Sequence, residues 1–401
     1  MESQTSAGLI EHFGSLEDPR IDRTKRHKLI DIVVIAICGA ICGADDWVSI
    51  EAFGNAKREW LAEFLELSNG IPSHDTFGRV FSRLDPEQFQ SCFLSWVQAV
   101  FVPYGGYPYE TISLGGTPRG EVTDGQVIAV DGKQVRGSYD HAAGKGAIQM
   151  VSAWATENQL VLGQVKVDEK SNEIPAIPAL LKLLDISGCI VTVDAMGCQK
   201  AIAQQIVDGG ADYVLAVKAN QGQLFQELTD LFAYAEVINF QPVVSDFHET
   251  FSRGHGRFEK RRCWAIADPD FLFSLRDRDQ WPQLHTVVKV EAERTVGQET
   301  TVETRFFIAS LPHDAARLLA AVRGHWGIEN RRHWVLDVAC GEDHSRVRKD
   351  HAPHNLAILR HIALNLLKHE RSAKLGVKNK RLRAGWDPDY LLKVLTAGKA
   401  K

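Results

Sequence analysis

Residues 127–131 read Val-Ile-Ala-Val-Asp, and residues 189–194 read Cys-Ile-Val-Thr-Val-Asp. Each stretch is a short, mainly β-branched run that ends in an aspartate, the pattern of a buried strand with a polar residue at its carboxyl end. A third apolar run follows at Tyr213–Val217, and helical patterns at Glu173–Leu184 and Gln199–Val207 lie between the runs. Because strands that alternate with helices form α/β sheets, we predict an α/β fold here.

The flanking sequence adds further strands. Met150–Ala155 and Leu160–Val167 are two strand-like runs separated by a probable turn sequence, Asn-Gln, so the sheet is predicted to be mixed. Residues 237–310 are strand-like again, most clearly at Thr286–Val290 and Thr304–Ile308. We interpret this region as a β-rich insertion in the α/β core.

Residues 1–105 are predicted to form a helical N-terminal domain, because apolar residues recur there at helical spacing. Asp46 and Ser73 each precede a helical pattern, where a short polar side chain can accept hydrogen bonds from free helix N–H groups. The helix after Ser73 is predicted to carry Arg79 and Arg83 outward and resembles the second half of a helix-turn-helix. A plain helical bundle explains the same pattern equally well.

Three further boundaries follow from composition. Residues 106–125 are rich in Gly, Pro and Thr and are interpreted as a linker. Residues 126–345 contain the α/β core with its insertion. The segment from 346 to 401 is predicted to be helical and basic, with 14 Lys and Arg residues against 4 Asp and Glu.

Overall composition indicates a folded globular protein of 401 residues, with 44% hydrophobic and 24% charged residues. Seven scattered cysteines without a CxxC pair favour free thiols in a reducing cytosol. The longest apolar run, Ile32–Ala44, is shorter than the roughly 20 residues of a membrane span and is interpreted as a buried helix. We therefore expect a cytoplasmic protein with no membrane partner.

Three acidic residues are candidates for the chemistry. Asp131 and Asp194 are predicted to close two strands of the sheet, where open α/β folds usually build their sites. Glu329 lies in a helical pattern whose apolar residues Ile328, Val335 and Leu336 would pack on the sheet and bring the glutamate toward the strand ends. An aspartate after a strand is more often a turn residue, so neither aspartate alone predicts a site.

Three converging carboxylates repel one another unless a divalent cation is present. Hard oxygen ligands favour Mg²⁺, with Mn²⁺ as a substitute. In two-metal phosphoryl transfer the ions lie roughly 3.5–4 Å apart, one activating the attacking oxygen and the other stabilising the leaving oxygen. The three carboxylates therefore indicate a site that holds two ions.

Three blocks of sequence resemble those of the insertion-sequence DDE transposases, especially the H-repeat-associated group. They are IAVDGKQVRGS around Asp131, VTVDAMGCQKAIAQQIVDGGADYVLAVKANQ around Asp194 and HWGIENRRHWVLDVACGED around Glu329. Residues 18–47 also resemble the N-terminal associated domain of that group. The likeness spans almost the whole chain.

The resemblance implies that residues 126–345 form an RNase H-like catalytic core, with 237–310 as its β-rich insertion domain. It also implies that Asp131, Asp194 and Glu329 are the catalytic, metal-binding triad. Related enzymes often carry a Tyr and an Arg seven and four residues before the Glu and a Lys seven after it. The corresponding residues here are Val322, His325 and Leu336, which departs from that pattern.

Several residues are candidates for contacts with DNA phosphates. Lys218 follows the third central strand and could reach a phosphate near Asp194. If residues 253–264 form a strand, Arg257, Glu259 and Arg261 share one face, which would be either a DNA-binding edge or a solvated row of ion pairs. Near Glu329, the predicted contacts come from His325, Arg331 and Arg332, with His333 as a further candidate. Trp264 is either a core residue or a platform for a flipped base.

Two other interpretations of the sequence remain open. His325, His333, Cys340 and His344 lie within a short segment and could form a zinc site, although their spacing matches no standard finger. The chain could also be a catalytically inactive DNA-binding relic of a transposase. A nucleotidyltransferase is not favoured, since Ala129 stands where its nucleophilic lysine would be needed.

The sequence thus predicts a transposase that cleaves and joins double-stranded DNA at the terminal inverted repeats of its element and inserts them into target DNA. A homodimer is expected in the synaptic complex, because two ends must be joined together.

Overall fold

One mixed sheet of nine strands organises the protein. The computed structural model describes residues 7–101, 125–140, 144–168, 171–254 and 256–397. The strands are β1 (Val127–Gln134), β2 (Gln149–Ala155), β3 (Leu160–Lys166), β4 (Ile190–Val193), β5 (Asp212–Val217), β6 (Ser245–Gly254), β7 (Arg257–Ile266), β8 (Thr286–Val296) and β9 (Glu299–Ala309). Their order across the sheet is β3-β2-β1-β4-β5-β9-β8-β7-β6. The predicted linker lies outside the described residues, apart from Gly125.

Helices precede, interrupt and follow the sheet. The N-terminal helices are α1 (Ala7–Phe13), α2 (Leu29–Ile41), α3 (Trp47–Ala56), α4 (Arg58–Leu61), α5 (His74–Arg83) and α6 (Pro86–Phe101). Those within the sheet region are α7 (Glu173–Leu181), α8 (Lys200–Asp208), α9 (Gly222–Val237), α10 (Pro269–Phe273), α11 (Ala315–Ile328) and α12 (Trp334–Cys340). The last three are α13 (Ala352–His369), α14 (Val377–Trp386) and α15 (Pro388–Leu395). The predicted α/β class with a mixed sheet is confirmed.

The register of the central strands places the two candidate aspartates side by side. β1 runs parallel to β4, and Val130 lies opposite Val193. β5 continues the parallel set, with Val193 opposite Leu215. Because each aspartate is the next residue after its valine, both lie at the same level on neighbouring strands. The buried apolar runs of the sequence therefore fix where the carboxylates lie.

Strands β6 to β9 extend the same sheet. β9 pairs with β5 in antiparallel fashion, with Val217 opposite Phe306. β8 and β9 are longer than the predicted runs, because their outer halves are polar and exposed and meet at a turn where Gly297 has a φ of 61°. Hydrophobic patterning cannot reveal such polar strand halves. The β-rich region is thus joined to the core by a continuous hydrogen-bond ladder.

The first and last helices share one core. α2 is almost fully buried, as predicted for its apolar run, and packs on α13, which is also buried along most of its length. The Asn355 side chain in α13 donates to the carbonyls of Phe81 and Leu84 at 2.8 and 2.9 Å. The C-terminal helices therefore complete the packing of the N-terminal region. The domain boundaries given above stay a prediction.

Two predicted helix starts differ in how they are capped. Asp46 accepts a hydrogen bond from the Ser49 backbone N–H at 2.7 Å, as predicted. Ser73 occupies the cap position of α5 but makes no capping bond with its side chain. The Glu51 carboxylate accepts the His74 N–H instead, at 2.8 Å. Arg79 and Arg83 lie on the exposed side of α5. No helix among the described residues is long and apolar enough to cross a membrane.

Asn365 in α13 binds the outermost strand on one side of the sheet, and its removal should destabilise the protein. Its Oδ1 accepts from the Val161 N–H and its Nδ2 donates to the Val161 carbonyl, both at 2.9 Å, within a fully buried site. Replacing Asn365 by Leu leaves two buried backbone groups unpaired, at about 1–3 kcal/mol each. We expect urea denaturation to show a loss of this order. Asn365→Asp, which retains one acceptor, serves as the comparison, and equal stability of Asn365→Leu and the wild type would contradict the prediction.

Candidate active site

A cleft of about 810 Å³ brings the candidate residues together. One wall is formed by the ends of the central strands and by α11. The opposite wall is formed by one face of β7, β8 and β9. The predicted residues that line the cleft are Asp131, Asp194, Lys218, Arg257, Glu259, Arg261, His325 and Glu329. A larger groove of about 1020 Å³ lies beside α3 and α5 and is lined by none of the three candidate carboxylates.

Asp131 lies within β1 and does not close it. The strand was predicted to end at the aspartate, but its ladder with β2 continues to Gln134. Burial, together with the nearby carboxylates of Asp194 and Glu173, raises the pKa of the Asp131 carboxyl to about 7. The shift therefore reflects a buried carboxyl group with two acidic neighbours.

Asp194 follows β4 directly and is held by the next turn. Its Oδ1 accepts from the N–H groups of Met196 and Gly197 at 3.1 and 3.2 Å. A Cβ atom at position 197 would overlap the Val193 side chain, so this tight turn requires glycine. Asn220 donates to the Ala195 carbonyl at 2.6 Å and braces the turn from the β5 side. One carboxylate oxygen of Asp194 is thereby fixed.

Glu329 begins a five-residue π-helical turn. α11 ends at Ile328, the π-helical turn covers Glu329–His333, and α12 follows. Ile328 and Leu336 are fully buried, as predicted, whereas Glu329 is exposed at the cleft. π-helical turns are rare and occur frequently at functional sites. The sequence predicted a regular helix here, so this turn is a correction.

The structure has no preassembled metal site in the part of the chain that it describes. No group of three or more His, Cys, Asp or Glu side chains there is gathered closely enough to hold an ion. This holds for the zinc alternative, in which Cys340 is buried and burial raises the pKa of its thiol. It also holds for the three carboxylates, of which only the two aspartates lie on neighbouring strands.

The basic residues of β7 occupy the predicted face. Arg257 and Arg261 flank Glu259 and form ion pairs with it, so the predicted ion-pair row is present and faces the cleft. The same wall includes Arg294, which lies on the polar half of β8 beyond the predicted run, and Arg305, which lies inside the predicted run Thr304–Ile308 but was not considered as a site residue. The Arg305 guanidinium lies 4.5 Å from the centre of the Trp326 ring. The wall opposite the carboxylates is therefore richer in arginine than predicted.

Three other residues that were predicted to contact phosphates differ in exposure and location. Arg331 is exposed but does not line the cleft. Arg332 is only 1% exposed, so its predicted contact with DNA is not possible in this structure. Arg332 lies four residues after the buried Ile328 and four before the buried Leu336, so helical spacing already places it on the inner side, which the prediction overlooked. His325 lines the cleft, but burial lowers the pKa of its imidazole to about 4, so it is neutral near pH 7. Thr192 Oγ1 lies 3.0 Å from His325 Nδ1.

Glu173 is a buried carboxylate that the sequence analysis treated only as the start of a helix. It is the first residue of α7, and the side chain of Asn172 caps the N-terminus of this helix. The Glu173 carboxylate accepts a hydrogen bond from the Gln149 side chain. Burial and the charge of Asp194 raise the pKa of its carboxyl. A Cβ atom at Gly132 would overlap this carboxylate, so the glycine after Asp131 makes room for it. The Asp-Gly pair inside a strand was the available signal.

Trp264 is held in place by neighbouring side chains. Its ring lies 5.2 Å from the Phe247 ring, and Lys289 Nζ lies 5.0 Å from the ring centre. It does not line the cleft. These contacts favour the structural role over base stacking.

Acid should destabilise the protein, because burial keeps several histidines neutral. Burial lowers the pKa below 6.5 for His325, His333, His354, His361 and His369. The unfolded chain binds protons at these positions as the pH falls through 6.5, whereas the folded chain does not, so stability is lost in that direction. The raised pKa values of Asp31, Asp131 and Glu173 act oppositely and offset part of the loss.

We expect the free energy of unfolding in metal-free buffer to fall from about pH 7 to about pH 5. The expected slope is about 1.4 kcal/mol per pH unit for each histidine that is not offset. Urea denaturation across this range checks the result, and His354→Gln should reduce the slope. A protein that is equally stable or more stable at the acidic end would contradict the prediction.

The fold and the cleft define an α/β protein whose cleft combines two sheet-borne aspartates with a helix-borne glutamate. Residues 122–366 match the family described as "Transposase DDE domain", and residues 10–97 match the family described as "DDE_Tnp_1-associated". The chain belongs to the DDE transposase family, and the predicted resemblance is confirmed.

Similar proteins agree with this assignment. The chain is 38% identical over 390 residues to "Putative transposase YncI" of Escherichia coli O157:H7, covering 97% of this chain and 94% of that protein. It is 37% identical over 391 residues to "H repeat-associated putative transposase YhhI" of Escherichia coli strain K12, covering 96% and 97%. A shorter relative of strain K12, "Inactive transposase YbfQ", is 41% identical over 75 residues, covering 19% of this chain and 89% of that protein.

A solved structure is also similar, at a lower level. It is the piggyBac transposase synaptic complex with hairpin DNA, with a TM-score of 0.41 and 11% sequence identity, covering 97% of this chain and 77% of that one. Similarity of this degree adds nothing to the family assignment.

Proposed function

We propose that the protein is an active DDE transposase, which cleaves DNA strands at the ends of an insertion sequence and transfers them into target DNA in a metal-dependent reaction. One observation carries the proposal: Asp131 and Asp194 lie side by side on parallel strands, and Glu329 lines the same cleft. Membership of the DDE transposase family indicates the type of reaction, and the three carboxylates indicate where on the protein it takes place.

The central strands support an RNase H-like core. Their order is β3-β2-β1-β4-β5, with β1 antiparallel to β2 and parallel to β4. In this proposal the β6–β9 region is an insertion that continues the core sheet, and it forms the wall opposite the carboxylates. The cleft is then the space between core and insertion.

The donor set fits divalent cations. Carboxylate oxygens are the ligands that Mg²⁺ and Mn²⁺ prefer, and the carboxylates of Asp194 and Glu173 lie close enough to Asp131 to contribute to its raised pKa. We assign Asp131, Asp194 and Glu329 as ligands of two Mg²⁺ ions, for which Mn²⁺ can substitute. When bound, such ions supply activation of the attacking water or 3′-hydroxyl and stabilisation of the leaving oxygen.

The side chains of the chain itself hold the DNA and the ligands. The Asp194 turn keeps one carboxylate oxygen bonded to backbone N–H groups, which leaves the other oxygen for a ligand role. Glu329 is exposed and lines the same cleft, and in this proposal its carboxylate turns toward the aspartates when the ions bind. His325 is neutral and can accept or donate one hydrogen bond without adding charge.

Phosphate contacts are assigned to the basic residues that face the cleft. Lys218 is exposed beside Asp194, and Arg257 and Arg261 lie on the opposite wall. A DNA backbone between these walls would exchange the carboxylate partners of the arginines for phosphate oxygens, which also bind the guanidinium fork. Arg331 lies outside the cleft and would contact flanking DNA. A homodimer would hold the two ends of the element together.

Metal dependence of strand cleavage tests the proposal. The purified protein is incubated with a duplex that carries the terminal repeats of its element, in Mg²⁺, Mn²⁺, Ca²⁺ or EDTA, and nicked products are resolved on denaturing gels. We expect cleavage in Mg²⁺ and Mn²⁺ and none in EDTA. A scrambled duplex is the control for end recognition. Protein that binds the terminal repeats but cuts under none of these conditions would identify the inactive DNA-binding relic instead.

A further inference from the structure

Arg332 lies in the π-helical turn after α11 and points into the protein interior. Its guanidinium contacts two elements that are distant in sequence and one residue of its own turn. Nη2 donates to Ser152 Oγ at 2.5 Å and lies 3.1 Å from His361 Nε2, while Nη1 lies 2.6 Å from His333 Nε2. Arginine can only donate hydrogen bonds, so both imidazole Nε2 atoms are the acceptors. Arg332 therefore joins its own turn to β2 and to α13.

Ser152 places the Arg332 contact next to Asp131. In the antiparallel ladder between β1 and β2, Ser152 lies directly opposite Asp131. Side chains of directly opposed residues project from the same face of a sheet. The Arg332 guanidinium is thus anchored on the face that carries the Asp131 carboxylate.

His333 forms a second link to the same aspartate. Its Nε2 accepts from Arg332, so its Nδ1 carries the proton, and Nδ1 lies 3.6 Å from Asp131 Oδ2. The turn that starts at Glu329 is therefore connected to Asp131 along two short paths, through Ser152 and through His333. Glu329 itself is exposed at the cleft.

Packing alone does not explain an arginine at this position. The hydrogen-bond partners of the guanidinium are a hydroxyl and two imidazoles, while its charge is attracted by the carboxylates of Glu342, Asp131 and Asp337. Burying a cation costs free energy, and apolar residues of similar volume often pack as stably as buried ion pairs. The rigid guanidinium fork does offer several fixed donors, which orient neighbouring groups.

We infer that Arg332 is a positioning residue, which clasps the Glu329 turn to the strands that carry Asp131 and so sets the spacing of these two carboxylates for the divalent cations. This inference rests on the proposed function. It replaces the phosphate contact that the sequence predicted for Arg332 with an indirect role. Outer partners of this kind typically change metal affinity or activity by about 10–100-fold when removed.

Manganese binding to the DNA-free protein tests the inference. Two variants remove the clasp, Ser152→Ala by deleting one acceptor and Arg332→Lys by deleting the fork while keeping the charge. Arg371→Lys, an exposed position in the loop after α13, is the matched control. Bound Mn²⁺ is measured by electron paramagnetic resonance, thermal unfolding is followed in EDTA, and cleavage of the terminal-repeat duplex is measured over a range of Mn²⁺ concentrations.

We expect Ser152→Ala and Arg332→Lys to weaken Mn²⁺ binding by about tenfold or more, and raised Mn²⁺ to restore cleavage. The control should bind like the wild type. A merely structural role would lower the unfolding midpoint in EDTA without changing Mn²⁺ affinity of the folded protein. Ser152→Ala leaves the arginine in place and decides the question if Arg332→Lys does not fold.

The outcomes distinguish failure of the inference about Arg332 from failure of the proposed transposase function. If the wild type cleaves DNA and both variants bind Mn²⁺ like the wild type, the clasp is wrong and the transposase function stands. If the wild type neither binds Mn²⁺ nor cleaves DNA, the proposed function fails and the inference fails with it.

Discussion

Asp194→Asn should abolish strand cleavage while leaving the fold intact. The asparagine keeps an oxygen that can accept from the N–H groups of Met196 and Gly197, so the turn after β4 should persist. It loses the negative charge that a divalent cation requires. Several kcal/mol of transition-state stabilisation depend on such ions, and each 1.36 kcal/mol is tenfold in rate, so we expect a loss of about 10³-fold or more.

The comparison variants make this result specific. Glu329→Gln should lose activity to a similar extent, whereas Asp208→Asn, at an exposed position of α8, should cleave like the wild type. Binding of the terminal-repeat duplex, measured by gel shift, should persist in Asp194→Asn, because the cleft loses a negative charge. Near wild-type cleavage by Asp194→Asn would remove this aspartate from the site. Loss of both cleavage and thermal stability would instead indicate a misfolded turn.

Lys133→Met should destabilise the protein strongly, because it leaves a buried carboxylate without its cation. The Lys133 ammonium lies on the same side of β1 as Asp131 and forms ion pairs with Asp337 and with Glu342, the latter at 2.5 Å. Glu342 is only 2% exposed, and the Lys133 charge lowers the pKa of its carboxyl. Removing one partner of a buried ion pair leaves an uncompensated charge, which costs about 3–5 kcal/mol.

Urea denaturation near neutral pH measures this loss. Lys133→Met combined with Glu342→Gln should recover part of it, since the second change removes the unpaired charge. Lys145→Met, at an exposed lysine, should stay within about 0.5 kcal/mol of the wild type. Arg360 Nη1 lies 4.0 Å from Glu342 Oε1. A loss below about 1 kcal/mol in Lys133→Met would show that water or Arg360 compensates the Glu342 charge, contrary to the prediction.

The sequence predicted the central strands and helices because their periodicity is set by burial. The runs before Asp131 and Asp194 are buried on both sides of the sheet, so they read as continuous apolar stretches. Their parallel pairing then places the aspartates together. Asp131, Asp194 and Glu329 line the same cleft. Their role as metal ligands stays a prediction.

Features that depend on single residues were beyond the reach of periodicity. Ile328 and Leu336 are both buried, yet eight residues of a regular α-helix would separate their directions by roughly 80°. The π-helical turn reconciles them. Arg294 lies on the polar half of β8, where no apolar alternation marks the strand. Arg305 lies inside the predicted run Thr304–Ile308, but its place on the cleft wall depends on tertiary packing. Glu173 lies on a helix and reaches the site only through the tertiary packing of α7.

The packing of α13 on α2 has a consequence for synthesis. α2 is nearly all apolar, and its main partner helix begins at Ala352, more than three hundred residues later in the chain. Chains are made at about 5–20 residues per second, so the ribosome delivers this partner tens of seconds after α2 has emerged. During that interval α13 does not yet pack on the apolar surface of α2, so this surface is available for chaperone binding. A premature stop codon before Ala352 would remove the cover permanently, so truncated copies of the gene should yield insoluble protein.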